Sequence, residues 1–343
     1  MPVKRVSRAK RVVSVIVATR NRPAMLREAL ASIRALEGPD LTFEILVGDN
    51  GSAPETADIV AEFGGVHERT ETDGCPAARN LALRRMTGDF VAFLDDDDVW
   101  TRDNIRPHIA LMDADPEIGV VFGQIVHADH ELRRFGRPWP VGAEMQGDIF
   151  VRMLSGYFPQ VGATVVRGDV ARQIGLMDER LIGDSDWDWQ LRLTRSYKTG
   201  FTPTPSVICR GRPSGSYDVL QKKRARYTRR IFWRHVLRNL SRWPTPLHLL
   251  RSYFRAMDVY YYYFVQAAFE RAHGGDYAGA RRAIRSALAL NPARALRSIA
   301  RRSRLGSATR RAVFPFVGHG RPARRVTRVR RLAPGAKPRS SEA

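Results

Sequence analysis

"VVSVIVATRNRPAMLREALASIRAL", Val12 to Leu36, passes from an unbroken β-branched run into a helical repeat across one short polar turn. A run of Val and Ile without alternation is the mark of a strand buried on both faces, as in a parallel sheet. Leu26, Ala29, Leu30, Ile33 and Leu36 then recur at helical spacing, with Pro23 at a position suited to the first helical turn. This β-then-α unit repeats downstream. "FEILVGDNGS" (43–52) reads as a second buried strand ending in a turn, "APETADIVAEFG" (53–64) as a second helix, "CPAARNLALRRM" (75–86) as a third helix and "GDFVAFLDDDD" (88–98) as a third strong strand. The alternation predicts an α/β fold with a doubly wound, mostly parallel sheet flanked by helices. Ligands of such sheets bind beyond the carboxyl ends of the strands, where "ATRNR", "GDNGS" and "DDDD" all fall.

The pattern continues with a helix over Arg102–Met112, a strand at "IGVVFGQIVHA" (118–128), a strand and helix in "GATVVRGDVARQIGLMDERL" (162–181), and a helix at "DWDWQLRLTRSY" (186–197) that carries Trp187, Leu191 and Thr194 near one face. The chain of 343 residues, 43% hydrophobic and 27% charged, is long enough for a large α/β domain plus an appendage and excludes wholesale disorder. Its net charge of +22 is unevenly spread: residues 219–343 hold 30 basic and 4 acidic side chains, residues 1–218 hold 27 and 31. A mildly acidic domain is therefore followed by a strongly basic one suited to an anionic surface. Two cysteines, Cys75 and Cys209, without a CxxC pair, indicate neither a disulfide framework nor a structural zinc site and fit a reducing cytoplasm. The basic residues before Val12 imitate a signal peptide, but the apolar run that follows is short and leads into an amphipathic pattern, as expected of a first strand. No apolar run approaches the ~20 residues of a membrane-spanning helix.

The stretch "FVAFLDDDDVW" (90–100) ends a strand on four carboxylates. Adjacent carboxylates repel, so the cluster costs stability unless solvent, donors or a cation compensate. An acidic run alone is most often a wet turn. Here it stands in register with "VSVIVATRNRPAMLREALASI", "EILVGDNGS", "GCPAARNLAL" and "GLMDERLIGDSDWDWQLRL". In that order and spacing the five blocks resemble the family 2 glycosyltransferases, over the first two thirds of the chain.

The resemblance implies a GT-A (Rossmann-like) fold, a nucleotide-diphospho-sugar donor, an inverting transfer to a hydroxyl acceptor and a divalent metal, Mn²⁺ or Mg²⁺. Hard cations prefer oxygen ligands and bridge to phosphate, which would give the carboxylate run a purpose. By the family's DxD pattern, Asp95 lies near the ribose, Asp97 is the direct metal ligand and Asp96 stands between them. Asp98 is expected to cap a following helix. Asp49 resembles the carboxylate that receives the nucleoside, and Asn50 replaces a second acidic residue. Thr19 and Arg22 fall where the family places nucleotide contacts, although Thr19 suits a helix-cap or turn role equally well. Arg79 resembles an arginine that reaches the donor, and a guanidinium suits bidentate phosphate binding; Asn80 beside it caps or packs, and Gly74 allows a tight turn. Asp186 resembles the general base. The residue before it is Ser185, not the family's glutamate, with Asp184 a possible substitute. Trp187 and Trp189 suit either sugar stacking or the core, with the core expected for one of them. Arg212 stands near a position where relatives carry histidine. His127 and His130, three apart, are expected to be a surface pair.

The organisation expected is a basic extension (1–11), the glycosyltransferase domain (12–218), a basic helical C-terminal appendage (219–316) and a disordered basic tail (317–343). Gln221 to Ala272 alternates cations with aromatics, which fits an in-plane helix on an anionic membrane surface or an appendage packing its aromatics on the catalytic domain. "FERAHGGDYAGARRAIRSALALNP" (269–292) resembles one tetratricopeptide hairpin, with Ala280, Ala283 and Ala287 small and Pro292 terminating. The expected partners are a nucleotide-sugar donor and a saccharide or lipid-linked acceptor in polysaccharide or glycolipid synthesis, with the enzyme cytoplasmic or peripheral at the inner membrane face. Nucleic acid is not the expected partner, because no recognition motif accompanies the charge. A nucleotidyltransferase would also need metal and phosphate sites, but the chain lacks a Gly-rich triphosphate loop followed by Lys. A non-catalytic protein binding a nucleotide sugar or an anionic surface is the alternative outside enzymes.

Overall fold

The computed structural model describes residues 10–140, 145–211, 218–292 and 294. Its first strand, β1 (Arg11–Thr19), buries Val13, Val15, Ile16 and Val17 completely. A strand apolar on both sides belongs in mid-sheet, and β1 lies between β2 (Leu41–Asp49) and β4 (Phe90–Asp95), parallel to both. The register pairs Thr19 with Asp49 and Ala18 with Asp95. Three polar strand ends are thus lined up along one rim of the sheet. Helix α1 (Pro23–Arg34) returns from that rim with Leu26, Ala29, Leu30 and Ile33 buried against it.

Helix α2 (Glu55–Glu62) leads to β3 (Val66–Arg69), a short parallel edge strand beside β2 whose sequence, VHER, is too polar to announce itself. Helix α3 (Cys75–Arg85) then packs closely on β2: a β-carbon at Gly48 would lie 1.8 Å from the Ala78 carbonyl oxygen, so glycine sets how near this helix can come.

After β4 come β5 (Val99–Trp100), α4 (Arg106–Ala114), β6 (Ile118–Ala128) and β7 (Arg134–Trp139). A short α5 (Phe150–Leu154), β8 (Thr164–Arg167), α6 (Gly168–Ile174), α7 (Ser185–Ser196) and β9 (Lys198–Arg210) complete the α/β part. The sheet order is β3-β2-β1-β4-β8-β6-β9-β5, with β7 paired to β6. Its first four strands are parallel; beyond β4 the pairing turns antiparallel except for β6 with β9. Helix α4 begins later than expected because the chain from Thr101 to Ile105 turns before Pro107 enters the first helical turn.

Helices α8 (Asp218–Leu237), α9 (Pro246–His273) and α10 (Tyr277–Leu290) follow. The basic segment is therefore two helices rather than one, parted around Trp243, Pro244 and Pro246. Its aromatics do pack on the α/β part: Phe232, Val236, Trp243, Tyr260, Tyr261 and Phe264 share one core with Phe150, Met153, Tyr157, Trp187 and Trp189. Phe158 bridges the two, 4.4 Å from the Trp187 ring and 6.0 Å from Tyr260. Helix α10 folds back on α9 and buries Ala280, Ala283 and Ala287, as the hairpin pattern predicts. The tail expected to be disordered, Arg212 and most of the basic N-terminal extension lie outside the described residues.

Candidate active site

The rim at the carboxyl ends of β1, β2 and β4 gathers the candidate residues. Asp95 ends β4 and the chain then turns, so strand alternation does not continue into Asp97. The turn nevertheless brings Asp95, Asp97 and Asp98 together, with one oxygen from each within 4.8 Å of the others. Asp96 points the other way: its carboxylate accepts from Thr19 Oγ1 at 2.9 Å, the Arg20 amide at 3.3 Å and Arg22 Nη1 at 2.7 Å. Burial pushes the Asp96 carboxyl above its usual range, and the Arg22 guanidinium holds it back in part. Arg22 also reaches Asp97 at 3.3 Å. Thr19 and Arg22 therefore brace the turn that presents the carboxylates, and Thr19 makes no helix cap.

Asp98 corrects the expectation of a helix cap. A two-residue strand follows it, not a helix, and Asp98 is buried, accepting from the Arg210 amide at 2.9 Å and from Gln160 at 3.3 Å. Burial, then the neighbouring charges of Asp95 and Asp97, raises its carboxyl to about 8. Three clustered carboxylates, two of them buried, form an all-oxygen donor set of the kind a hard divalent cation takes. The residues present thus fit Mg²⁺ or Mn²⁺.

Arg79 stands at the centre. Helix α3 buries it, and its Nη2 donates to Asp95 Oδ1 at 2.6 Å while Nη1 lies 3.8 Å from Asp186 Oδ2. Burial opposes its charge, but the carboxylates of Asp95 and Asp186 keep it firmly protonated. One guanidinium thereby joins the carboxylate cluster to Asp186, which projects half-exposed from the first turn of α7. Asn80, next along α3, exchanges hydrogen bonds with the Met177 backbone and donates to Glu179, fixing the loop that leads to α7.

Asp49 is buried at the end of β2, where it accepts from the Ser52 amide at 2.8 Å and meets His67 Nε2 at 3.0 Å. His67 was not legible as a site residue, since only the pairing of β3 brings it there. Asn50 accepts from the Gly74 amide at 3.0 Å and donates to the Thr72 carbonyl, so its side chain shapes the entry to α3. Asp184 does not replace the missing glutamate. It adopts φ 64° immediately before α7, and its carboxylate is held by Thr228 Oγ1 at 2.9 Å and the Tyr260 hydroxyl at 2.5 Å, both from the C-terminal helices. Trp187 and Trp189 are both in the core, Trp189 with its indole N–H on the Gly175 carbonyl. Neither is presented to a sugar. His127 and His130 are exposed; His127 stacks on Phe135, and no metal cluster among the described residues includes either.

Comparison with known proteins converges on one family. The family model described as Glycosyl transferase family 2 matches residues 14–168. The uncharacterized glycosyltransferase YwdF of Bacillus subtilis is 27% identical over 242 residues, 66% of this chain and 85% of that protein. The Escherichia coli UDP-Glc:alpha-D-GlcNAc-diphosphoundecaprenol beta-1,3-glucosyltransferase WfgD is 31% identical over 105 residues, 29% of this chain and 41% of that protein. Among solved structures, S. aureus TarS 1–349 in complex with UDP superposes with a TM-score of 0.51 at 19% identity, covering 88% of this chain and 86% of that one. That likeness is one of fold, and it extends over the C-terminal helices as well as the sheet. With its sheet order, its carboxylate turn and these matches, the chain has the GT-A fold, and residues 14–168 match the family 2 glycosyltransferases.

Proposed function

We propose that the protein transfers a sugar, with inversion, from a nucleotide-diphospho-sugar to an acceptor hydroxyl in the synthesis of a cell-envelope polysaccharide or glycolipid. The observation that carries this reading is the bridge from Asp95 through Arg79 to Asp186, which puts a candidate cation site and a candidate base on one guanidinium. The nucleoside would lie along the rim made by Thr19, Asp49 and Asn50, and the diphosphate would meet Asp95, Asp97 and Asp98 through a bound Mg²⁺ or Mn²⁺. When bound, that cation would neutralise charge on the departing diphosphate. The donor class is supported by the UDP complex of TarS and the acceptor class by WfgD, whose acceptor is a diphosphoundecaprenol-linked sugar.

On this reading Asp186 takes the proton of the acceptor hydroxyl as its oxygen attacks the anomeric carbon, on the face opposite the diphosphate. The C–O bond to the diphosphate breaks as the new glycosidic bond forms, which inverts the anomeric centre. Arg79 fixes where Asp186 stands relative to Asp95. Thr19 holds Asp96, and Arg22 holds Asp96 and reaches Asp97, keeping the acidic turn in the conformation in which Asp97 and Asp98 face Asp95.

The test is calorimetric titration with a panel of nucleotide sugars, with and without Mn²⁺, on the wild type, Asp97→Asn and Asp186→Asn. Metal-dependent binding of one donor, lost in Asp97→Asn and kept in a transfer-dead Asp186→Asn, is expected. Transfer by Asp186→Asn at the wild-type rate would remove Asp186 from its role. A nucleoside triphosphate consumed in place of a nucleotide sugar would favour a nucleotidyltransferase, and donor binding without transfer a non-catalytic protein.

A further inference from the structure

Although the buried faces of α8 and α9 are used up in the core, their outer faces carry an unusual combination. Trp233, Leu237, Leu240, Leu247 and Leu250 are between 43% and 67% exposed and fall within 18 residues at the corner where α8 passes into α9. Arg226, Arg230, Trp233 and Leu237 recur at three- and four-residue spacing, so they form one stripe on α8. Leu247, Leu250 and Arg251 do the same on α9. The two stripes adjoin, because the Trp233 ring lies 5.8 Å from Tyr253 of α9, which in turn touches Phe254.

The charge along this stretch of chain has one sign. From Val219 to Met257 the chain contains 11 Lys and Arg and not one Asp or Glu. Arg234 turns inward to Asp178 and Asp188, and Arg242 pairs at the surface with Asp148, which ties the corner to the α/β part. Arg226, Arg230, Arg238, Arg251 and Arg255 are exposed and make no ion pair with a described residue. Large apolar side chains ringed by unpaired cations suit a bilayer with anionic headgroups, where Trp and Leu enter the interface and Arg meets phosphate. A second copy of the chain is a poor fit, since two such faces would bring like charges together. No described helix is long and apolar enough to cross a membrane, so contact by this corner would be in the plane of the surface.

We infer that the α8–α9 corner is a docking surface for an anionic lipid bilayer, with Trp233, Leu237, Leu240, Leu247 and Leu250 inserting and the flanking arginines binding headgroups. The same helix α8 carries Thr228, which holds Asp184 two residues before Asp186. Thr228 and Leu237 are nine residues apart, about 14 Å along a helix. Docking therefore brings the candidate base near the bilayer, where the hydroxyl of a lipid-linked saccharide would stand. The last step rests on the proposed transfer reaction; the docking itself does not.

The experiment is flotation of the full chain with phosphatidylcholine vesicles and with vesicles containing one third phosphatidylglycerol, at low and high salt. The variants are Leu237→Ser/Leu240→Ser/Leu247→Ser/Leu250→Ser, and Arg230→Ala/Arg238→Ala/Arg251→Ala. All seven side chains are exposed, so circular dichroism and the thermal midpoint are expected to match the wild type. The wild type should partition to the anionic vesicles, weakly to neutral ones, and each variant should lose about tenfold or more in partitioning. Equal partitioning of the serine variant and the wild type would overturn the inference, because binding would then come from basic residues elsewhere. Failure of the wild type to bind anionic vesicles, or its self-association through the corner instead, would overturn it equally. None of these readouts depends on sugar transfer, so donor chemistry can fail while docking stands. Should the serine variant unfold, parallax quenching of Trp233 by brominated anionic lipid in the wild type, identified by its loss in Trp233→Phe, decides the same point.

Discussion

The Tyr260 hydroxyl donates to Asp184 Oδ1 at 2.5 Å, inside the core that α9 shares with the α/β domain. Asp184 sits in the left-handed region two residues before Asp186, a conformation that costs energy for a residue with a β-carbon unless its surroundings hold it. Thr228 supplies the second hold. The C-terminal helices thus reach the turn that aims the candidate base. Replacing Tyr260 by Phe leaves a buried carboxylate short of one donor, at a cost of about 1–3 kcal/mol in stability. The expected result is a lowered thermal midpoint and a transfer rate reduced about tenfold with donor KM unchanged. A fall in midpoint with kcat intact would reduce Tyr260 to a packing role.

Arg79 makes a harsher prediction. It is buried, it pairs with Asp95, and it lies within 3.8 Å of Asp186, so its two nitrogens act on both halves of the site. Lysine keeps the charge but loses the planar fork that serves two carboxylates at once. Arg79→Lys should fold and yet transfer sugar at least about a hundredfold more slowly, with weakened donor binding. Steady-state kinetics across donor concentration checks it; near-normal turnover would show that the bridge is incidental.

The sequence made the β1–α1 unit plain because its Val and Ile run admits no other burial and its helical repeat begins at a proline. The same is true of the placement of Asp49 and Asp95, since parallel strands in register must deliver their last residues to one rim. Asp98 was misread because its surroundings come from far away: the Arg210 amide that it accepts from lies 112 positions along the chain and Gln160 lies 62. Asp184 posed the same difficulty, its partners being 44 and 76 positions distant. His67 rides on a strand too short and polar to show any periodicity. Trp187 and Trp189 both entered the core because α7 is buried around most of its circumference: Phe158, itself against Tyr260 of α9, covers Trp187, while Phe93 of β4 and the Gly175 carbonyl receive Trp189.

Gly48 tests the closeness of α3 to the sheet. A methyl group there would stand 1.8 Å from the Ala78 carbonyl oxygen, and the atom in the way is backbone, which cannot swing aside as a side chain can. Gly48→Ala must therefore push α3 away from β2 and carry Arg79 with it. Overpacking of this kind costs about 1–3 kcal/mol or more. The variant should show a clearly lowered thermal midpoint and, where it folds, a larger loss of transfer than the stability change alone would cause. Wild-type stability and rate in Gly48→Ala would mean that α3 is not seated as described.

His108 gives the pH dependence. It is wholly buried on α4, with Nε2 3.3 Å from Thr202 Oγ1, and burial pushes its pKa down to about 3 from an ordinary 6.5. Between those values the unfolded chain binds a proton that the native one refuses, so stability is fully present above about pH 6.5 and is lost as pH falls toward 3. The slope from this one residue approaches about 1.4 kcal/mol per pH unit. Carboxylates titrate in the lower part of the same window, so the comparison must be with a variant that lacks the imidazole. Urea unfolding of the wild type and His108→Gln at intervals from pH 7.5 to 4.5 should show the variant less stable at neutral pH, because it loses the fit of the ring, but flatter with acidification. Parallel curves would mean that His108 takes up its proton in the native state as readily as in the unfolded one, which a ring sealed beneath β6 and β9 should not do.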